Sequence, residues 1–326
     1  MKKIIVLLVL TVLFLTGCQA ATGSGEVSKT DEPITVRVGV PNAPPALPVL
    51  HMQQTNALGD NVSIEIDKWD TPEQLIAMVQ DGNHDLFAFP LTVASKLYNK
   101  GIEIKLTNVN TWGVTYFLTT DSTLLQWADL KGKTIYIPLQ SSPPDILTQY
   151  FLESAGLKIG EDVQIVYSTT TEIAQMLQAG TIEYATLIEP QVTAAMQNNS
   201  NIRVAFSFEE EWQKLKGGDS LIPNAGFGGL TSYIDENIEL VKDFEEAYEN
   251  SLNWVNDNPE EAAKMAEEQL GLKAVVLTKA IPNMGLVYKN SFEARDDLQG
   301  FYELLYQFDP TSMGGAIPDQ GLYFEE

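Results

Sequence analysis

Short apolar–polar alternations and capped apolar segments follow one another along most of the chain. Ile34–Val40 alternates as a strand does, whereas Thr71-Pro72-Glu73 is typical of a helix start with proline in the first turn. Strands are predicted at 34–40, 62–66, 85–89, 104–107, 115–119, 135–137, 163–167, 184–188 and 202–208. Helices are predicted at 49–56, 73–80, 92–99, 145–155 and 171–180, after Glu189-Pro190 to about residue 198, and from 239 to 259. This order predicts an α/β fold with a mainly parallel sheet.

Two parts of the chain repeat the same pattern. Residues 71–89 read TPEQLIAMVQDGNHDLFAF, and residues 170–188 read TTEIAQMLQAGTIEYATLI. Each part places a capped helix, a glycine and an acidic residue before a buried strand. The repetition predicts two lobes of like architecture, followed by a helical C-terminal part.

The amino terminus has the form of an export signal. Lys2 and Lys3 precede an apolar run from Ile4 to Leu15, which is shorter than the roughly 20 residues that a membrane-spanning helix needs. The run ends at LTGC, which resembles a bacterial lipobox whose cysteine, here Cys18, becomes lipid-modified (palmitate). We therefore expect a signal peptide at 1–17 and a lipid-anchored flexible tether at 18–33. The alternative is an ordinary signal peptide with an incidental cysteine.

Charge and cysteine content narrow the classes of function. The formal net charge is −24, and loss of the two lysines Lys2 and Lys3 with the leader would make it −26. Such acidity argues against nucleic acid or the face of an anionic membrane as a partner. Cys18 is the single cysteine, so neither disulfides nor thiolate chemistry is expected in the fold.

Several motifs in order carry a family resemblance. They are GVP at 39–41 before a proline-rich loop, DLFA at 85–88, DLKGK at 129–133, EP at 189–190 and DENIELVKDF at 235–244. Behind a lipobox, this series resembles the substrate-binding proteins of bacterial ABC importers. It is most similar to their nitrate, sulfonate, taurine and thiamine-pyrimidine (NMT1/THI5-like) branch.

The resemblance implies a type II periplasmic-binding-protein fold, in which two α/β lobes joined by a two-strand hinge close on a ligand. Lobe 1 is expected at 34–117 plus 220–326, and lobe 2 at 118–219. It also implies an extracytoplasmic, lipid-anchored monomer that hands a small molecule to the ABC permease and ATPase subunits. A ligand-sensing lipoprotein with the same fold is a second interpretation.

Candidate ligand contacts follow from the position of the loops. In open α/β sheets, ligands bind beyond the carboxyl ends of the strands. That rule selects the strand-to-helix loops and, within them, Asn42, Ala43, Trp69, Asp70, Phe89, Leu91, Thr92, Trp112, Gln140, Ser141, Ser142 and Glu189. At 140–142 the sequence reads QSS where the family usually has Gly-Ser, and this puts the usual backbone contact in doubt.

Other interpretations of these residues stay open. Trp69, Trp112 and Phe89 can equally fill the core, and Glu189 can simply favour the start of its helix. The two serines at 141–142 begin a helix and can hold an anion there.

The residue types in these loops favour one ligand class. The three arginines, Arg37, Arg203 and Arg295, all lie outside the loops, although a sulfonate or nitrate site usually needs an arginine fork or a lysine. Aromatic rings with a nearby carboxylate suit a neutral or cationic heteroaromatic compound, such as a thiamine-precursor pyrimidine. The alternative is a sulfonate, nitrate or taurine-type anion.

Catalytic and metal-binding patterns are missing from the sequence. His51 and His84 lie in different segments, and no GxSxG, HExxH or phosphate-binding loop occurs. The pyrimidine synthase that shares this fold relies on a histidine and a cysteine-rich motif. We therefore expect no enzymatic activity, no cofactor and no metal site.

Replacing Cys18 with alanine tests the lipid anchor. The variant should move from the membrane fraction to the medium or periplasm, because the thiol that carries the lipid is gone. Fractionation followed by immunoblotting measures this, with Thr16→Ser as a control that keeps the cysteine. A membrane-bound Cys18→Ala variant would contradict the anchor.

Overall fold

The computed structural model describes residues 33–217 and 221–325. The strands are β1 (Ile34–Pro41), β2 (Val62–Trp69), β3 (Leu86–Pro90), β4 (Ile104–Leu106), β5 (Asn108–Trp112), β6 (Thr115–Thr119), β7 (Thr134–Ile137), β8 (Gln164–Tyr167), β9 (Tyr184–Ile188), β10 (Arg203–Ser207), β11 (Pro223–Leu230) and β12 (Leu286–Asn290). The helices are α1 (Ala46–Thr55), α2 (Pro72–Asp81), α3 (Leu91–Asn99), α4 (Pro143–Ser154), α5 (Thr170–Gln178), α6 (Gln191–Asn198), α7 (Phe208–Lys216), α8 (Thr231–Glu236), α9 (Ile238–Asp257), α10 (Pro259–Leu270), α11 (Ala274–Ala280) and α12 (Arg295–Phe308). Cys18, the leader and most of the tether lie outside the described residues.

The first sheet combines parallel strands from the start of the chain with antiparallel strands from later segments. Its order is β12-β5-β11-β3-β1-β2, and β4 also pairs with β11. β1 runs parallel to both β2 and β3, as the alternating strand–helix pattern predicts. β3 lies inside the sheet, and all five of its residues (LFAFP) are buried. Continuous apolar composition is typical of such a strand.

The second sheet has the order β10-β6-β9-β7-β8 and again has a parallel part, in which β7 pairs with β8 and β9. The repeated sequence pattern appears in both sheets as a helix followed by a buried strand, α2–β3 and α5–β9. Thr71 and Thr169 each accept a backbone N–H of the following helix through the side chain. Gly82 and Gly180, which follow the two helices, both have φ +69°.

The chain passes between the sheets twice, after β5 and between β10 and β11. The two connecting segments touch, because the Gly113 amide donates to the Ile222 carbonyl over 2.9 Å. The Ile222 amide in turn donates to Glu209 Oε2 over 3.2 Å. A pair of connections held side by side is the arrangement expected of a two-strand hinge.

The sequence pattern missed β5, β11, β12 and α7. β11 reads PNAGFGGL, which shows no alternation, yet it is an internal strand of the first sheet. Its glycines allow a very close approach of neighbouring backbone. A Cβ at Gly226 would lie 2.0 Å from the Asn108 carbonyl oxygen, and one at Gly228 would lie 2.2 Å from that of Lys105. Close packing against a neighbouring strand therefore selects glycine where propensity alone would predict a loop.

Gly226→Ala tests this close approach. The new methyl group meets backbone that cannot rotate away, so we expect a loss of about 3 kcal/mol or more in the free energy of unfolding. Gly300→Ala is the matched control, because a Cβ there meets no atom within 4 Å and lies in helix α12. The control should be stabilised by about 0.5–1 kcal/mol. Urea unfolding measures both, and similar stabilities for the two variants would contradict the packing argument.

Candidate binding site

A cavity lies where the carboxyl ends of strands from both sheets meet. The ends of β1, β2, β3 and β9 and the loop after β7 reach it, as the strand-end rule predicts. It is lined by Pro41, Ala43, Pro44, Pro45, Trp69, Ala88, Phe89, Pro90, Thr111, Leu139, Ser142, Pro143, Pro144, Ile188, Asn224 and Ala225. Four of the predicted contacts, Ala43, Trp69, Phe89 and Ser142, are thus brought together.

The usable space inside the cavity is small. About 420 Å³ lies free of protein atoms, but only about 30 Å³ of this can hold the centre of a water molecule. The smaller volume is room for roughly two waters at most. A drug-sized or nutrient-sized ligand can therefore enter only if the two sheets separate.

The wall of the cavity is uncharged. None of its described lining residues is acidic or basic, and six of them are prolines. The aromatic faces come from Trp69 and Phe89, both almost fully buried. Proline rings and aromatic faces form a rigid apolar surface, which suits a flat uncharged ligand.

Two polar groups in this wall lack partners. Trp69 Nε1 and Ser142 Oγ are both buried and have no hydrogen-bond partner among the described residues. Trp69 ends β2 in the first sheet, whereas Ser142 lies between β7 of the second sheet and α4. Leaving a buried polar group unsatisfied costs about 1–3 kcal/mol. A ligand that bonds to both groups recovers this cost.

The start of helix α4 offers few backbone donors to an anion. Its first two residues are Pro143 and Pro144, which have no N–H group. The Ser142 amide donates to the Leu139 carbonyl over 2.9 Å. The Ser141 amide donates to Asp145 Oδ2 over 2.7 Å, so a buried carboxylate occupies the place where an anion would bind. Desolvation raises the pKa of Asp145, although three hydrogen bonds oppose the shift.

The loop before α4 departs from the family pattern in a way that the backbone explains. Leu139 and Ser141 have φ +54° and +65°, in the left-handed region that usually favours glycine. Thus the turn keeps a glycine-like conformation without glycine. Gln140 and Ser141 line a separate groove beside α2 and α3. The Ser141 carbonyl also accepts a hydrogen bond from Thr92 Oγ1 over 2.9 Å, which joins this loop to helix α3.

Three further candidates lie near the cavity without lining it. Asn42 and Asp70 are exposed, and Asn42 Nδ2 donates to Asp70 Oδ1 over 3.2 Å, joining the loops after β1 and β2. Leu91 is buried at the start of α3, where its carbonyl accepts the hydroxyl of Tyr302 over 3.1 Å. These residues shape the loops around the cavity, and direct contact with a ligand stays a prediction.

Trp112 and Glu189 have structural partners of their own. Trp112 Nε1 donates to the Val287 carbonyl over 2.9 Å, and Lys289 Nζ lies 4.7 Å from its ring centre. Glu189 accepts bonds from Thr193 N (3.1 Å) and Thr193 Oγ1 (2.9 Å), so it caps α6. Glu189 faces a groove between α6 and the segment that carries Lys279, apart from the central cavity. A ligand role for either residue stays a prediction.

Sequence reasoning missed Thr111, Leu139, Ile188 and Asn224. Asn224 Nδ2 donates to Thr115 Oγ1 over 3.2 Å and so connects β11 with β6. Ile188 ends the buried strand β9 and was visible as a strand end. Thr111 and Asn224 belong to strands without a clear alternation, so no local signal indicated them.

Comparison with known proteins decides the family. Residues 60–262 match the family model described as NMT1/THI5 like, which is more than half of the 326-residue chain. The chain belongs to the NMT1/THI5-like family. The family that the motifs indicated is therefore confirmed. No curated protein sequence matches the chain.

Solved structures share the fold of this NMT1/THI5-like chain. An ABC transporter protein from Parabacteroides distasonis is 25% identical, with a TM-score of 0.73 over 90% of this chain and 99% of that chain. The aliphatic sulphonate binding protein SsuA from Escherichia coli is 17% identical (TM-score 0.72; 90% and 93%). The nitrate-binding protein NrtA from Synechocystis PCC 6803 is 14% identical, with a TM-score of 0.66 over 86% of this chain and 84% of that chain. The predicted type II periplasmic-binding-protein fold is confirmed.

Within 33–217 and 221–325, no helix has the length and apolar content needed to cross a membrane. The same residues contain no cluster of three or more histidine, aspartate or glutamate side chains placed to hold a metal ion.

Glu189→Gln tests the buried carboxyl group. Burial raises the pKa of Glu189 from its ordinary 4.5 to about 7, against the opposing bonds from Thr193. Between pH 4.5 and 7 the unfolded chain ionises while the folded chain stays protonated, so stability falls as pH rises and then levels off. The glutamine variant avoids this loss, worth about 3 kcal/mol. Urea unfolding at pH 5 and 8 should show that Glu189→Gln has a higher free energy of unfolding than the wild type only at pH 8.

Glu172→Gln is the matched control, because a hydrogen bond from Ser168 lowers the pKa of the Glu172 carboxyl. Its ionised form stabilises the fold above the unfolded pKa, so the control should lose similar stability at pH 5 and 8. If Glu189→Gln behaved in the same way, the buried Glu189 carboxyl would not be protonated near neutral pH.

Proposed function

We propose that this protein is the solute-binding component of an ABC importer, and that it captures a small uncharged heteroaromatic nutrient between its two sheets. A thiamine-precursor pyrimidine is the favoured ligand. The observation that carries the proposal is the uncharged cavity, with its aromatic faces and proline-lined wall, at the meeting point of the strand ends. Membership of the NMT1/THI5-like family and the ABC transporter neighbour support the transport role.

An anionic ligand is disfavoured because the three arginines lie outside the cavity wall. Arg37 pairs with Glu65 on the sheet surface at 3.1 Å. Arg203 donates to the backbone carbonyls of Asp121 and Leu124. Arg295 lies over the ring of Phe292. Together with the proline-blocked start of α4, this leaves a sulfonate or nitrate without the charged donors that such ions need.

Ligand capture follows from the closed form of the cavity. The bond between Thr92 Oγ1 and the Ser141 carbonyl closes one side of the cleft, and little space remains inside. A ligand bound to one lobe gains contacts with the other only on closure, and it therefore shifts the population toward the closed form. We assign 34–117 plus 220–326 to lobe 1 and 118–219 to lobe 2, and we expect the permease to recognise the closed pair.

The location of the protein belongs to the same proposal. The LTGC stretch supports removal of residues 1–17 and lipid attachment at Cys18. An anchored binding protein on the outer side of the membrane delivers its ligand directly to the permease and ATPase subunits. We propose a binding role without catalysis, since the described residues of the cavity wall include no nucleophile paired with a base.

Thermal unfolding of the soluble chain against a ligand panel tests the proposal. The panel contains 4-amino-5-hydroxymethyl-2-methylpyrimidine, thiamine, riboflavin, taurine, an alkanesulfonate and nitrate. A neutral aminopyrimidine at 100 times its dissociation constant should stabilise the fold by about 2.7 kcal/mol and raise the midpoint. The anions should leave the midpoint unchanged.

Two variants locate the effect. Ala43→Phe fills the cavity and should abolish the ligand-induced shift, whereas Ala128→Phe, at an exposed position, should keep it. The readout is the shift on adding ligand, so a lower baseline stability does not affect it. A midpoint raised by taurine, sulfonate or nitrate alone would overturn the choice of ligand class.

A further inference from the structure

The indole N–H of Trp69 is a buried hydrogen-bond donor without a partner among the described residues. An indole nitrogen can donate a hydrogen bond but cannot accept one. Trp69 is buried at the end of β2, lines the cavity, and its Nε1 has no partner among the described residues. Trp112, by contrast, has its indole N–H occupied by the Val287 carbonyl. Trp69 therefore differs from Trp112 in keeping an uncommitted donor on a residue that lines the cavity.

A chain of side-chain hydrogen bonds ends at Thr111 in the same cavity wall. Its first link has a fixed direction, because the Phe227 backbone N–H donates to Asn108 Oδ1 over 3.0 Å. A backbone N–H can only donate, so the amide oxygen of Asn108 must face it. The amide nitrogen of Asn108 then donates to Glu245 Oε2 over 2.7 Å, which agrees with this orientation.

The orientation of the Asn108 amide fixes the direction of the remaining hydrogen bonds. Asn110 Nδ2 donates to Asn108 Oδ1 over 2.9 Å, so Asn110 turns its oxygen toward Thr111. The Thr111 hydroxyl donates its single hydrogen to Asn110 Oδ1 over 2.9 Å. A hydroxyl whose hydrogen is committed in this way offers only its lone pairs to a further partner. Thr111 lines the cavity, and its hydroxyl can therefore only accept a further hydrogen bond.

We infer that the cavity selects a ligand carrying both a hydrogen-bond acceptor for Trp69 Nε1 and a hydrogen-bond donor for Thr111 Oγ1. Amino-substituted nitrogen heteroaromatics have both groups on one flat, uncharged ring. Simple alkanesulfonates and nitrate offer acceptors alone, so they leave the lone pairs of Thr111 Oγ1 without a donor. This inference deepens the proposed function and rests on it. Ser142 Oγ can serve either role and adds no direction.

The two contacts can be separated with three probes and two variants. The probes are 4-amino-5-hydroxymethyl-2-methylpyrimidine, its analogue without the amino group, and its analogue with CH in place of both ring nitrogens. Wild-type protein should bind the first probe about tenfold more tightly than either analogue, because each analogue leaves one buried group unpaired. Isothermal titration calorimetry measures the dissociation constants.

Each variant should erase one preference and keep the other. Thr111→Val removes the acceptor, so the ratio between the amino probe and its desamino analogue should fall to about one while the ring-nitrogen preference persists. Trp69→Phe removes the donor, so the preference for the ring nitrogens should disappear while the preference for the amino group persists. Ratios are compared within one variant, so a general loss of affinity does not produce the pattern.

Matched controls come from the second lobe. Trp127→Phe removes another unpartnered buried indole N–H that lies outside the cavity, and Thr186→Val removes a buried hydroxyl bonded to Thr148. Both controls should keep both preferences. Asn110 is a positioning residue, and Asn110→Ala frees the Thr111 hydrogen. That variant should improve binding of a 4-methoxy analogue relative to the amino probe.

The outcomes distinguish this inference from the proposed function. If the wild type binds the aminopyrimidine and both preferences survive in Thr111→Val and Trp69→Phe, the donor–acceptor assignment is wrong and the proposed function stands. If none of the three probes binds the wild type, the proposed ligand class fails and the inference fails with it.

Discussion

The hydrogen bond between the Gly113 amide and the Ile222 carbonyl is the contact on which the arrangement of the two sheets depends. It joins the two segments through which the chain passes from one sheet to the other, at 2.9 Å. Because the segments are held side by side, the sheets present their strand ends to each other. The cavity forms between those ends, and Thr92 and Ser141 close one side of it with a second bond.

A strongly acidic protein thus encloses an uncharged cavity. The formal net charge is −24, yet the described residues around the cavity are apolar or neutral. Inside such a low-dielectric space, hydrogen bonds discriminate strongly, since an unpaired buried group is costly. Discrimination there depends on the direction of a few bonds, because no side chain in the wall supplies charge. Prolines keep the wall rigid and remove backbone donors that would attract anions.

Part of this account was accessible from the sequence. Alternation and capping residues predicted β1, β2, α2, α5 and most of the parallel strands, because those features act over a few residues. The strand-end rule selected Ala43, Trp69, Phe89 and Ser142, and these four residues lie together in the wall of the cavity. β11 was missed because its glycines are required by close contact with the backbone of β4 and β5, which lie far away in the sequence.

The two strand-end tryptophans show why the remaining site residues could not be predicted. Trp69 and Trp112 both lie at the end of a strand, and the sequence does not distinguish them. The indole N–H of Trp112, however, donates to a carbonyl 175 residues later in the chain. The direction of Thr111 likewise depends on the Phe227 amide, 119 residues from Asn108. Such partners are set by the tertiary fold, so no short window of sequence contains them.

The central claim is that the indole N–H of Trp69 bonds to the ligand, and heteronuclear NMR of the indole groups tests it most directly. The chain has five tryptophans, and Trp69→Phe identifies the signal of interest. On addition of 4-amino-5-hydroxymethyl-2-methylpyrimidine, the Trp69 indole proton should move downfield as a hydrogen bond forms, while the Trp127 signal stays in place. Binding that leaves the Trp69 signal unchanged would contradict the account.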